Sequence, residues 1–339
     1  MAAYFLRRLA LIPVTFLGIT FVTFLVLNLA PGGPLEIKLQ SARFGSAGGQ
    51  IGNSRSAVVS EQALVDLKKQ YGFDRPVVDR YVLWLKNIFR WDFGQSFKYE
   101  EPVSSVLASK ALISLQFGVI ALIFTYLLCV PLGLLRAMKP GGAIDRISGV
   151  LLAIGYAVPP VVLGLFLIVV FAGSSYFSWF PLGGLYSAQY AELSAVGRAA
   201  DRLQHLVLPL LCYVLSGFAE VSLLTRNSML DVIGSEFVRT AKAKGLSRWQ
   251  VLWHHGFRNA LTPLVAGLPG YIRFFLAGSV VVEQLFDLDG LGLLAYQSIL
   301  ARDYNVIMGL VFVSAFLLLL SRLFSDLLMI FLDPRMDVK

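Results

Sequence analysis

Six long apolar runs constrain this chain more than any other feature of its sequence. Each run is close to the roughly 20 residues that cross a hydrocarbon core of about 30 Å as a helix. The runs cover residues 9–30, 111–135, 147–173, 205–225, 263–282 and 306–332. The sequence therefore predicts an all-α, polytopic membrane protein with six transmembrane helices.

The composition excludes a soluble globular domain and a disordered chain. Of the 339 residues, 57% are hydrophobic and only 15% are charged, whereas soluble domains carry roughly 25% charged residues. The 25 Phe, 13 Tyr and 5 Trp supply too much apolar surface for a solvated chain. Cys129 and Cys212 both lie inside apolar runs, so we expect small core residues rather than a disulfide or a zinc site.

The positions of Lys and Arg predict the orientation of the chain. Arg7 and Arg8 precede the first run, which leads into a Pro- and Gly-rich stretch instead of a cleavage site, so this run is expected to remain as a helix. If the N-terminus is cytoplasmic, the inner segments hold fourteen Lys and Arg, and the two short outer loops hold only Arg198, Arg202 and Arg302. Both termini are therefore expected in the cytoplasm. The net charge of +8 then reflects topology rather than nucleic-acid binding.

This pattern divides the chain into three parts. Residues 1–34 form the first transmembrane helix, residues 35–110 an external helical segment, and residues 111–339 a five-helix core with a cytoplasmic loop at 226–262. Asp74 and Pro76 are expected as the cap and first-turn residues of an amphipathic helix in the external segment. Its apolar face, at the helical period, comprises Val77, Val78, Tyr81, Val82, Leu85, Ile88 and Phe89. That face either packs on the outer end of the bundle or docks an external partner.

The sequence contains no pattern typical of catalysis. It lacks a Gly-x-x-x-x-Gly-Lys-Ser/Thr phosphate loop, His-Glu-x-x-His, Gly-x-Ser-x-Gly and Cys-x-x-Cys. His254 and His255 are adjacent, and neighbouring side chains on a helix point about 100° apart, so they are not expected to share a metal ion. The chain is therefore predicted to transport or conduct, with no catalytic residues, metal site or cofactor of its own.

The cytoplasmic loop at 226–262 predicts a compact helical elbow. Ser235 is expected to cap a helix over 236–244, and Gly245 to end it in the left-handed conformation with Leu246 folding back. Ser247 is expected to cap a second helix that carries Trp249, Val251, Leu252 and Trp253. The elbow is either an amphipathic connector on the membrane surface or a helix that inserts into a groove of another protein. The short, small-residue-rich first helix favours the groove.

Residues 238–247, Val-Arg-Thr-Ala-Lys-Ala-Lys-Gly-Leu-Ser, resemble the coupling-loop signature of the permease subunits of peptide-importing ABC transporters. Further matches to the dipeptide/oligopeptide permease pattern include Arg7-Arg8-Leu9, Ala30-Pro31-Gly32, Tyr71-Gly72-Phe73-Asp74 and Asp333-Pro334-Arg335. Segments 155–159, 171–177 and 288–294 are similar to the Yej-type branch, which is associated with uptake of oligopeptides and microcin C. The resemblance covers essentially the whole chain.

This resemblance implies a type I ABC importer permease fold in a bacterial inner membrane, with residues 35–110 as a periplasmic insertion. It also implies a heterodimer with a second permease subunit, two ABC ATPase domains that bind ATP and Mg, and a periplasmic peptide-binding protein. The implied ATPase-coupling residues are Glu236, Arg239, Thr240, Ala241, Lys242, Ala243, Lys244, Gly245 and Leu246. The general importer pattern reads Glu-Ala-Ala-x-x-x-Gly, whereas residues 239–241 are Arg-Thr-Ala here, so no acidic contact to the ATPase is carried over.

Five residues are candidates for the translocation path or its gate. Glu220 and Arg273 lie within apolar runs, where an unpaired charge costs at least roughly 2.5 kcal/mol, so we expect them to pair or to meet a peptide terminus. Glu283 is expected at the external gate. Pro159 and Pro160 interrupt helical hydrogen bonding in the third run, which makes either a gating kink or a packing kink.

A secondary transporter or channel that works without ATPases is the alternative function. Such a transporter is typically built from inverted repeats with paired broken helices, and no internal repeat is visible in the sequence. A membrane-embedded enzyme ranks third, because the sequence contains no catalytic constellation.

Overall fold

The structure is a computed structural model that describes residues 2–29, 75–173, 176–247, 250, 257–276 and 279–332. Helices dominate this part of the chain, and its isolated β-bridge joins Gln95 to Pro102. The α-helices are α1 (Ala2–Leu29), α2 (Val77–Ile88), α3 (Val103–Met138), α4 (Ala143–Ala157), α5 (Pro160–Leu167), α6 (Ala195–Ile233), α7 (Glu236–Ala243), α8 (Phe257–Leu276), α9 (Val280–Leu285), α10 (Leu291–Leu300) and α11 (Tyr304–Leu332). A π-helical turn, Ile168–Ala172, extends α5, and a 3₁₀ turn, Tyr190–Glu192, precedes α6.

Within the described residues, three helices are long and apolar enough to cross a membrane, namely Arg8–Leu29, Val103–Met138 and Tyr304–Leu332. The number rises to five if each of two bent pairs is one span. The predicted run at 263–282 falls on α8 and α9 and includes residues 277 and 278, which lie outside the described part. The all-α polytopic class is confirmed, and the count of six transmembrane helices stays a prediction.

The third apolar run does not form one kinked helix, because two helices meet there at 100°. Val158 still donates its N–H to Ile154, 3.2 Å away, at the end of α4. Pro159 is extended, with φ −58° and ψ 142°, and Pro160 begins α5. Neither proline has an N–H to continue the ladder, and proline is well suited to the first position of a helix. The predicted break at these residues is therefore real and much sharper than a kink.

The chain separates into two compact units. The first comprises Met1–Arg8, Lys110–Leu293 and Phe316–Lys339, and the second comprises Leu9–Ser109 and Leu294–Ala315. The core of the first unit includes Phe117, Leu208, Tyr213, Leu264, Phe286 and Leu288. Cys129 and Cys212 are fully buried in the same core, which confirms their predicted core positions.

In the second unit α2 packs against α1 and α11. The Tyr81 hydroxyl lies 2.9 Å from Thr20 Oγ1, and its ring packs with Phe24 and Met308. Of the predicted apolar face, Val77, Tyr81, Leu85 and Ile88 are buried or half-buried, whereas Val78, Val82 and Phe89 are 59%, 43% and 85% exposed. Packing within the chain is confirmed for the first group, and docking of a partner by the second stays a prediction. Two neighbouring helices cover only part of the apolar arc, so the rest stays exposed. Pro76 precedes the helix without a side-chain cap bond, and Asp74 lies outside the described residues.

Candidate functional site

The elbow begins with α7, Glu236–Ala243. Gly245 adopts φ +83°, and the Leu246 N–H donates to the Ala241 carbonyl at 3.4 Å. This geometry matches a Schellman-type helix end, so the predicted left-handed stop and fold-back are confirmed. The Ser235 hydroxyl donates to the Val232 carbonyl at 2.5 Å, and its role as the cap of α7 stays a prediction.

The inner edge of α7 rests on the end of α6. Val238 and Ala241 are buried and pack against Val232, which places Ala241 on the inner side of the elbow rather than on its outer face. The other coupling candidates whose side chains are described are exposed, namely Glu236, Arg239, Thr240, Ala243, Lys244, Gly245 and Leu246. The side chain of Lys242 lies outside the described part. The exposed face also carries Phe237, which is 45% exposed and which no sequence pattern singled out.

Reciprocal hydrogen bonds join Ser247 and Gln250 at the start of the predicted second helix of the elbow. The Gln250 N–H donates to Ser247 Oγ at 3.3 Å, and the Ser247 N–H and hydroxyl each donate to Gln250 Oε1 at 3.0 Å. This is a capping box in which glutamine occupies the third helical position. The predicted capping by Ser247 is confirmed. Trp249, Val251, Leu252 and Trp253 lie outside the described residues.

A buried charge cluster holds the helix that carries the elbow. Arg226 binds Asp145 with two parallel bonds, Nε to Oδ1 at 2.7 Å and Nη2 to Oδ2 at 2.8 Å. Arg136 Nε donates to the same Oδ1 at 3.2 Å, and its Nη1 reaches Ser222 Oγ at 3.3 Å. The Gly141 N–H donates to Asp145 Oδ2 at 2.9 Å. The carboxylate therefore joins the end of α3, the start of α4 and the last third of α6; we call Arg136, Asp145 and Arg226 the Asp145 clasp.

The Asp145 clasp was missed by the sequence analysis, although one signal was present. Asp145 is the single acidic residue in the basic segment 136–146. The Asp145 side chain is 8% exposed and that of Arg136 6%, so both charges depend on their protein partners. Arg226 lies ten residues before Glu236 and on the helix against which α7 packs. Arg226 and Val232, on which α7 packs, therefore lie six residues apart on the same helix.

The candidates for the path lie on α6 and α8. Glu220 is exposed on α6, and a side-chain hydrogen bond joins it to Tyr271 of α8. The Tyr271 ring meets Tyr126 edge to face, with centroids 6.0 Å apart. The side chain of Arg273 lies outside the described residues, so its pairing with Glu220 stays a prediction. Tyr271, which no sequence pattern singled out, is the partner that the structure assigns to Glu220.

Glu283, predicted at the external gate, is 1% exposed inside the first unit. Its Oε1 accepts from the Ser114 hydroxyl at 2.8 Å, and its Oε2 accepts from the Leu293 N–H at 2.7 Å. The Ser114 oxygen in turn accepts from the Leu291 N–H at 2.7 Å. A Cβ on Gly290 would come within 2.5 Å of both Glu283 Oε1 and Ser114 Oγ. The carboxylate therefore shapes the 286–293 segment, which is the loop after α9 and the start of α10, from inside, and any role at a gate would act through that segment.

The described residues combine long apolar helices with the short, exposed helix α7. The chain belongs to the family of binding-protein-dependent transport system inner membrane components, whose sequence profile matches residues 129–338. It is therefore a multi-pass subunit of an ABC transporter in the inner membrane and not itself an enzyme.

Full-length relatives narrow this class. The chain is 40% identical to the peptidoglycan transport system permease protein YejB of Agrobacterium fabrum (strain C58), over 99% of this chain and 98% of that protein. It is 36% identical to the inner membrane ABC transporter permease protein YejB of Escherichia coli O157:H7, over 99% of both chains. The dipeptide transport system permease protein DppB of Escherichia coli (strain K12) is 30% identical over the full length of both.

A solved structure shows the same fold. A chain of the MetNI methionine ABC transporter, in an inward facing conformation, aligns with a TM-score of 0.51 at 16% identity. The alignment covers 68% of this chain and 97% of that one. The type I importer fold expected from the resemblance is confirmed.

Proposed function

We propose that this chain is the permease subunit of an ATP-driven importer that moves oligopeptides from the periplasm to the cytoplasm. The observation that carries the proposal is its similarity, along 98% or more of its length, to permeases named for peptidoglycan, oligopeptide and dipeptide transport. Transport without ATPases is not favoured, because these relatives are subunits of ABC systems.

The complete transporter contains four kinds of component in this proposal. The chain pairs with a second permease subunit, two ABC ATPase domains hold ATP and Mg, and a periplasmic protein delivers the peptide. Both termini lie in the cytoplasm, as the distribution of Lys and Arg favours.

The elbow from Glu236 to Leu246 is the ATPase docking element in this proposal. Three features support it: a tightly terminated short helix, an inner edge seated on α6, and an outer face that is exposed. The exposed apolar side chains Phe237 and Leu246, 45% and 36% exposed, give this face the character of a helix that fits a groove.

The peptide path is a cavity shared with the second permease and has few charged side chains. A zwitterionic peptide backbone must cross without binding tightly, so selectivity rests mainly on the binding protein. Glu220, hydrogen-bonded to Tyr271, and Arg273 are the candidates for contact with a peptide terminus. Pro159 and Pro160 supply the sharp turn between α4 and α5, at which the path could be gated.

Reconstitution tests this function directly. The two permeases and their ATPases are placed in proteoliposomes, binding protein loaded with a labelled oligopeptide is added outside, and uptake is followed with and without internal ATP. We expect uptake only when ATP, both ATPase domains and the binding protein are all present, with a catalytically inactive ATPase as the matched control. Peptide uptake by this chain alone, without nucleotide, would show a secondary transporter instead.

A further inference from the structure

The two flanks of α2 differ in chemistry. At 100° per residue, Val78, Val82 and Phe89 fall within about 40° of one another, beside the arc that packs on α1 and α11. On the opposite flank, Arg80 and Asn87 line a cavity of about 520 Å³ together with Asn28, Tyr304 and Asn305. The helix therefore has a packed side, a polar flank and an exposed apolar flank.

These flanks point to different depths along α1 and α11. Asn28 lies at the end of α1 and Tyr304 at the start of α11, so the polar flank faces the outer ends of both helices. Val78, Val82 and Phe89 lie across the packed arc from the polar flank, so they face away from these outer ends, toward the middle of the span. In the turn after α2, Trp91 meets the Phe312 ring, with centroids 6.2 Å apart, and Phe312 lies eight residues, or about 12 Å, into α11.

The depth of α2 is that of a helix at a membrane surface. Its Tyr81 ring contacts Phe21 and Phe24 of α1, with centroids 5.1 and 5.5 Å apart. Phe24 lies five residues, or about 8 Å, before the end of α1. Interfacial helices bury their apolar face about 5–10 Å into the boundary between headgroups and acyl chains. These contacts place α2 at the depth along α1 that is expected of an interfacial helix.

The turn after α2 carries a further exposed aromatic side chain. Trp91 has φ +60°, a left-handed conformation that is a genuine outlier for a bulky residue. Its ring contacts Phe93 and Phe312, yet the side chain remains 74% exposed, and Phe89 is 85% exposed. Tryptophan is enriched where a protein crosses from headgroups to acyl chains.

We propose that α2 lies in the plane of the bilayer at its outer surface, with Val78, Val82, Phe89 and Trp91 in contact with phospholipid acyl chains. On α1, a helix long and apolar enough to cross a membrane, Val22 and Val26 are likewise 58% and 59% exposed. The inference goes beyond the proposed function, since it assigns α2 to the membrane rather than to the substrate path.

The charges of α2 fit the same partner. Lys86 and Arg90 lie on the arc opposite the packed side, together with Asp79, and their long side chains can extend outward to lipid phosphates while their stems stay among apolar groups. The segment 75–92 carries four basic residues, Arg75, Arg80, Lys86 and Arg90, and two acidic ones, Asp79 and Asp92. A net positive, in-plane helix suits an anionic headgroup layer.

Spin labels test this assignment in the complete transporter in lipid nanodiscs. Single cysteines replace Val82 or Phe89 on the apolar flank, Asp79 on the polar arc of the same helix, or Val22 on α1 as a lipid-exposed standard. Cys129 and Cys212 are both 0% exposed, so the unsubstituted chain measures background labelling. Collision of each label with apolar oxygen and with a water-soluble nickel chelate is then compared.

We expect the labels at 82 and 89 to behave like the label at 22, with oxygen collision dominating, and the label at 79 to meet the nickel chelate several-fold more. Dominant nickel collision at 82 and 89 would place α2 in water and overturn the proposal. Low collision with both reagents would mean that a protein covers the flank, and would also overturn it.

A second measurement needs no substitution. The unmodified complex is reconstituted with a phospholipid that carries a photoactivatable group on its acyl chain, irradiated, and digested for mass spectrometry. We expect lipid adducts within residues 78–91 as well as on α1. Adducts on α1 without any on residues 78–91 would refute contact between α2 and acyl chains.

Discussion

Replacement of Asp145 by asparagine tests whether the Asp145 clasp anchors the helix that carries the elbow. The change keeps the size of the side chain but removes the charge shared by Arg136 and Arg226. Breaking a buried ion pair by removing one partner costs about 3–5 kcal/mol. Arg226 is 21% exposed and can regain some solvation, so we expect the lower end, about 3 kcal/mol of unfolding free energy.

The chain offers a matched exposed ion pair as the control. Arg239 Nη1 lies 2.8 Å from Glu236 Oε1, and the side chains are 69% and 84% exposed. Exposed pairs contribute about 0–1 kcal/mol, so Glu236→Gln should leave stability nearly unchanged. Both variants are measured by denaturant unfolding of the purified complex in the same detergent. In the double variant Arg136→Met with Asp145→Asn, part of the loss should be recovered, because one unpaired charge is removed.

The clasp also predicts a functional effect separate from stability. Arg226 lies on α6, and α7 packs against Val232 of the same helix. Loosening the clasp should therefore reduce peptide uptake more than basal ATP hydrolysis, at a temperature where the complex is intact. If Asp145→Asn changes the unfolding free energy no more than Glu236→Gln does, the clasp is not the anchor that its geometry indicates.

Three further predictions concern the elbow, the 286–293 segment and the candidate residues of the peptide path. Gly245→Val should abolish peptide-stimulated ATP hydrolysis and uptake together without loss of membrane insertion, because a β-branched residue is strained at a φ of +83°. Gly245→Asn should be tolerated, because asparagine adopts this conformation more readily and nothing lies within 4 Å of an added Cβ. Equal activity of the two variants would contradict a conformational role for Gly245. Gly290→Ala should lower the yield of folded complex, because an added Cβ would lie 2.5 Å from Glu283 Oε1 and Ser114 Oγ. The control Gly270→Ala should not, because nothing lies within 4 Å of its added Cβ. Equal yields of the two variants would contradict the close packing at Gly290. If Arg273 pairs with Glu220, Arg273→Ala should reduce the yield of folded complex, and the double variant with Glu220→Ala should recover part of that yield. If Arg273 instead binds a peptide carboxylate, the yield of Arg273→Ala should be normal, and C-terminally amidated peptides should no longer be taken up less well than free acids. Normal yield with unaltered uptake of both peptide forms would exclude both roles.

Local sequence signals were sufficient for the shape of the elbow. Gly245 follows a short helical pattern, and its left-handed φ of +83° depends only on the absence of a Cβ. Ser247 and Gln250 are three residues apart, which is the spacing of a capping box. Such features form between neighbours in the chain, so they can be predicted without knowledge of the fold.

The amphipathic helix α2 was predictable only in part. Its apolar arc follows from residue spacing, and Tyr81 and Ile88 are buried as expected. The exposure of Val82 and Phe89 depends on how much of that arc α1 and α11 cover, which spacing does not contain. The periodicity that predicts a helix cannot distinguish an apolar side chain that meets protein from one left exposed.

The sequence by itself determined the class of this protein. Apolar runs of about 20 residues require membrane-spanning helices because unpaired backbone groups are too costly in hydrocarbon, and the basic residues between the runs predict the topology. Only the tertiary structure decided which polar residues meet. Asp145 and Arg226 are 81 residues apart, and Ser114 and Glu283 are 169 apart. A buried charge must find a partner, but the packing of the helices, not the order of the residues, determines which partner lies within reach.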